Sequence, residues 1–165
     1  MTMRIALLSL LVLIPGAAFS QGGASAVDGV WKIAEVTITG ANASTNTTPQ
    51  PSLLIFARGH YSWMQVQGTT ARKQRAALAT PGKPTDAERI AAFEEWNPFT
   101  ANSGTFEVKG STLSRSLQVA KNVGAMSATA PQQHQFKLEG NTLWLTGPAP
   151  GDPKGEIRYR LTRVR

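Results

Sequence analysis

The chain has 165 residues, a formal net charge of +7 from 17 Lys and Arg against 10 Asp and Glu, and no cysteine. Without cysteine there are no disulfide staples, no thiolate metal ligands and no cysteine nucleophile. The positive charge is dispersed, densest at Arg72-Lys73-Arg75 and at Arg158, Arg160, Arg163 and Arg165, with neither interleaved exposed aromatics nor a recognition helix. Nucleic acid is therefore not an expected partner, while weak attraction to an anionic membrane surface or an anionic ligand stays open.

In chain order, Arg4 and the apolar run over residues 5–14, broken only by Ser9, read as the basic and hydrophobic regions of a signal peptide. Pro15-Gly16 ends that run short of the roughly 20 apolar residues a membrane-spanning helix needs. Ala18-Phe19-Ser20 supplies small residues at the positions a signal peptidase reads. The expectation is a signal peptide over 1–20, cleavage before Gln21, and one mature domain over 21–165, periplasmic or secreted.

Alternating apolar and polar residues then predict strands over 30–39, 52–57, 60–66, 105–108, 112–119, 133–138, 142–146 and 156–164. Tight turns at Arg58-Gly59, Lys109-Gly110 and Gly140-Asn141 make three hairpins. Residues 40–51 read as a polar loop and residues 68–84 as a long irregular one. Between the third and fourth strands, Thr85-Asp86-Ala87-Glu88 fits a capping box that opens a helix, with Ala87, Ile90 and Phe93, and Trp96 or Asn97, on one face and Pro98 as the stop. That face needs an apolar surface, which the sheet wall or an open barrel end would supply. The fold class is all-β: an eight-stranded antiparallel up-and-down β-barrel with one helix inserted between strands 3 and 4. A barrel of this size holds one small ligand or is filled by its own side chains.

Strand phase assigns faces. Leu113, Arg115, Leu117 and Val119 share the apolar, inward phase, so Arg115 needs a partner inside. Three are open: Glu35, in phase with Trp31 and Ile33; the anionic head of a ligand; or water at the barrel mouth. His134 and Phe136 share an inward phase with Leu138, and a lone inward histidine is more often a core residue than a catalyst. Tyr61, Trp63 and Gln65 alternate with Ser62, Met64 and Val66, and phase alone leaves open which set faces in. Arg163 follows Ile157, Tyr159 and Leu161, which sets it over the Trp31 ring as a structural clasp. Trp144 takes the outer phase, as an aromatic beneath the helix. With only His60 and His134, no metal site and no cofactor are expected, and no catalytic constellation is visible.

Several segments resemble the bacterial secreted lipocalin-like domain proteins, barrels of calycin type. They are Gly29-Val30-Trp31-Lys32, Pro51-Ser52-Leu53-Leu54-Ile55-Phe56 with Gly59-His60-Tyr61-Ser62, and Phe99-Thr100-Ala101-Asn102-Ser103-Gly104-Thr105-Phe106-Glu107-Val108. Later come Val119-Ala120-Lys121-Asn122 and Phe136-Lys137-Leu138-Glu139-Gly140-Asn141-Thr142-Leu143. The resemblance implies the same barrel and a small-molecule cavity, with no catalytic residues to carry over. Relatives often carry a histidine where this chain has Arg115, and an arginine near the place of His134, so it implies a different interior site here. The expected function is binding of a small, largely hydrophobic or amphipathic molecule, with an anionic head as one option. Arg115, His134, Tyr61, Trp63, Glu35 and Phe136 are the candidate contacts. The alternatives are a cavity-based isomerase or cyclase, and an envelope interaction module with a filled barrel.

Overall fold

Side chains two apart along a strand share a face, and here that alternation closes a sheet on itself. The computed structural model describes residues 24–164; the expected signal peptide and the cut before Gln21 lie outside them. The elements are β1 (Gly29–Ile38), β2 (Ser44–Asn46), β3 (Ser52–Ala57), β4 (His60–Val66), α1 (Asp86–Trp96), β5 (Phe99–Lys109), β6 (Thr112–Ala120), α2 (Val123–Met126), β7 (Gln132–Glu139), β8 (Thr142–Ala149) and β9 (Asp152–Arg163). All neighbours pair antiparallel in the order β2-β1-β3-β4-β5-β6-β7-β8-β9, and β1 also pairs with β9. Eight strands thus form a closed barrel, and β2 extends its wall by pairing with the far half of the β1 edge that β3 uses at its start. The expected loop over 40–51 contains this extra strand, so the inserted helix α1 follows the fourth strand and not the third.

At one end the barrel is sealed. Trp31 is fully buried, and its Nε1 donates to the Val27 carbonyl at 2.9 Å. The Arg163 guanidinium lies 4.1 Å from the Trp31 ring centroid and donates Nη1 to the Asp28 carbonyl at 2.7 Å. Gly29 makes this possible: with φ at 143°, a Cβ there would collide with Arg163 Nη1. Above this base the lower half is packed solid by Leu54, Phe56, Leu113, Leu143, Leu145 and Leu161. At the Arg58-Gly59 turn both residues have positive φ, 49° and 80°, the twist a two-residue hairpin between twisted strands requires.

Two bulges overturn faces expected from simple alternation. The register slips between Ile33 and Glu35 in β1, so Val36 pairs with Tyr159 on the inside while Glu35 pairs with Arg160 on the outside. The β5–β6 register slips beside Ser103 and Gly104, which turns Val119 outward, 63% exposed. An extra residue on one strand shifts every later side chain to the opposite face.

The helix is a second correction. Its capping box forms, with Thr85 Oγ1 accepting from the Glu88 amide at 3.3 Å and Glu88 Oε2 accepting from the Thr85 amide at 2.7 Å. No residue of α1 is buried, however, and Ile90 and Phe93 are 58% and 64% exposed. The expected apolar face does not lie on the barrel. Its C-terminal end is tethered instead: Lys121 Nζ donates to the Trp96 and Asn97 carbonyls at 2.7 and 2.9 Å. The Trp96 ring packs 5.2 Å from Phe99. Local capping suffices to start this helix, and three apolar residues among Ala, Arg and Glu make too narrow a stripe to draw it onto the sheet.

Candidate functional site

The site begins with β6, where Arg115 faces Phe106 of β5 on one side and Gln132 of β7 on the other. Both pairings put the Arg115 side chain inside the barrel, and it is 4% exposed. Register also brings Tyr61, Trp63 and Gln65 of β4 inward, opposite Gly104, Asn102 and Thr100. Tyr61 and Trp63 are buried while Ser62 and Met64 face out, which decides what alternation alone could not. The Arg115 guanidinium lies 4.3 Å from the Trp63 ring centroid and 5.1 Å from that of Tyr61. Stacking on two aromatic faces offsets part of its desolvation.

Its hydrogen bonding is far from complete. Nη2 donates to Gln132 Oε1 at 3.0 Å, while Nε and Nη1 are buried without a partner among the described residues. Glu35, the candidate carboxylate, is not available: turned outward by the bulge, it pairs with Arg160 Nη2 at 3.1 Å. Beside Arg115, Tyr61 Oη and His134 Nδ1 are also buried without partners among the described residues, as is Asn102 Oδ1 opposite Trp63 on β5.

Burial sets the protonation of this group. Desolvation lowers the Arg115 pKa to about 10, partly opposed by Tyr61 and Tyr159, so the side chain stays cationic at neutral pH. Desolvation first, and then the Arg115 charge, lower His134 to about 4, which keeps its imidazole neutral. Burial raises the phenols of Tyr61 and Tyr159, against the pull of Arg115. The result is one buried cation among neutral hydrogen-bonding groups. Gly147 shapes the room for His134, since a Cβ there would lie 3.0 Å from His134 Cδ2.

The opposite end of the barrel from Trp31 holds a cavity of about 370 Å³, walled by Ile33, Val36, Ile38 and Ile157, with Gln65 and Tyr159 also lining it. Trp63 joins the cavity to the cluster: it donates Nε1 to Gln65 Oε1 at 2.9 Å and meets the Tyr159 ring edge-on at 5.1 Å. Arg115 stacks on that same indole and does not line the cavity.

Of the residues singled out from sequence, Arg115, His134, Tyr61 and Trp63 come together. Phe136 packs against the filled core, and Glu35 lies on the outer wall. Sequence reasoning missed Gln65, Tyr159, Asn102 and Gln132. Tyr159 had a usable signal, its phase with Ile157 and Leu161; Asn102 had none, because β5 starts at Phe99 and not at residue 105. Among the described residues no three His, Asp or Glu side chains are placed to hold a metal ion.

The chain matches no family model and no curated protein. Among solved structures it is similar to an uncharacterized protein from Bacteroides eggerthii DSM 20697, with 10% identity over 83% of this chain and 98% of that one, and a TM-score of 0.44.

Proposed function

We propose that this protein is an exported, lipocalin-like carrier that holds one small, largely hydrophobic molecule in the open half of its barrel. The observation that carries the reading is the cavity of about 370 Å³ walled by Ile33, Val36, Ile38 and Ile157. Ligand sites are typically concave, mainly apolar and a few hundred Å³ in volume. Apolar walls favour transfer of hydrocarbon from water, and Gln65 and Tyr159 give the floor two polar contacts. The sealed base and packed lower half support the reading by holding Ile33, Val36, Ile38 and Ile157 on paired strands, while residues 44–50 and 67–69 complete the rim.

Native mass spectrometry of the protein purified after export tests this. The expected result is a stoichiometric small molecule that organic solvent extracts, on a chain beginning at Gln21. A clean apo mass that stays unchanged with added hydrocarbon-rich ligands overturns the carrier reading. A second reading, an interaction module, is favoured by one observation, the solvent-facing Ile90 and Phe93 of α1; exposed apolar clusters mark interaction sites.

A further inference from the structure

Among the described residues Arg115 is the one strongly buried cation of the barrel interior, and no side-chain carboxylate answers it. All ten acidic residues of the chain fall within the described residues. Glu107, Glu139 and Glu156 are exposed on the strands, and Asp86, Glu88, Glu94 and Glu95 belong to α1. Asp28 sits at the sealed base, where its Oδ2 accepts from the Ser25 amide, and Asp152 at the rim accepts from the Ala41 amide. Glu35 pairs with Arg160. Burial of a charge is costly unless it is paired and hydrogen-bonded, and two aromatic faces with one glutamine leave Nε and Nη1 unanswered. The neighbouring groups are of the kind that complete an anion site. Tyr61 has a hydroxyl to donate, and His134 a neutral ring that adds no competing charge. None brings a negative charge of its own.

We propose that Arg115, with Gln132 and Tyr61 beside it, is a buried oxyanion site, and that the ligand of this barrel is an amphiphile whose acidic head, of carboxylate type, reaches it. The inference rests on the carrier reading and deepens it. The apolar tail occupies the cavity, and the head passes the Trp63–Tyr159 pair at its floor to meet the guanidinium one inward layer below. Guanidinium groups suit planar oxyanions because several N–H bonds share one plane.

The test compares decanoate, 1-decanol and acetate as probes by isothermal titration calorimetry, on delipidated wild-type protein and on Arg115→Met and Arg115→Lys. Charge-assisted hydrogen bonds predict that wild type binds decanoate about tenfold to a hundredfold more tightly than decanol. Arg115→Met should bind the two alike, near the wild-type affinity for decanol, and Arg115→Lys should keep part of the preference. Equal affinities for acid and alcohol in wild type overturn the oxyanion site and leave the carrier reading intact. Binding of neither ten-carbon probe overturns the carrier reading as well. Arg115-dependent binding of acetate as tight as that of decanoate overturns the amphiphile class in favour of a small-anion site. The wild-type ratio of acid to alcohol decides the question even if both variants fail to fold.

Discussion

At the scale of single residues, the interior depends on His134 staying neutral. Its ring is buried between Gly147 and the Trp63 indole, whose centroid lies 6.3 Å away, and Arg115 adds a repulsive charge. The folded-state pKa is about 4 against an ordinary 6.5. Between those values the unfolded chain binds a proton that the folded one refuses, so stability rises with pH across that window. It is complete above pH 6.5, and the penalty of an uncharged site is fully felt at about pH 4, where the difference corresponds to about 3 kcal/mol. Urea denaturation at pH 4.5 and 7.5 should show wild type losing much of that difference on acidification. His134→Gln, which has no proton to gain, should flatten this part of the profile. An unchanged slope in the variant would assign the acid sensitivity to other groups.

At the scale of elements, β-bulges and the helix carry the departures from simple pattern. One extra residue in β1 moves Glu35 out of the barrel, and one in β6 moves Val119 out. The helix α1 is held by its cap and by Lys121, not by an apolar footprint. Its Ile90 and Phe93 should therefore contribute little to folding stability, within about 0.5 kcal/mol as for other surface positions. The double variant Ile90→Ser with Phe93→Ser should unfold at the wild-type urea midpoint. A clear drop would mean that the helix packs on the barrel in solution. A loss of self-association or partner capture at constant stability would support the interaction reading.

At the scale of the whole molecule, the barrel is filled at one end and open at the other. Leu143 is fully buried in the packed half, so Leu143→Ala should leave a cavity and cost about 2–5 kcal/mol. Ile38 is only half-buried and already borders open space. Ile38→Ala should cost about 1 kcal/mol or less and should weaken binding of a hydrocarbon probe. Chemical denaturation of both variants checks the asymmetry; equal losses would mean that the upper half packs as tightly as the lower.

The sequence by itself determined the eight barrel strands, though not β2 or the first half of β5, together with the three hairpins, the helix cap and the all-β closed barrel, because these follow from local patterns: period-two alternation, glycine in tight turns, and the Thr85–Glu88 spacing. It also marked Arg115 and His134 as inward. Tertiary structure decided what those residues meet. Alternation is blind to bulges, so Glu35 looked like the partner of Arg115 until the β1–β9 register turned it away. It is blind too to which half of an inward row is filled, because packed leucines and cavity walls share one pattern. The gap between open mouth and solid base, and the cation stacked on Trp63 between them, exist only once eight strands meet in a particular register.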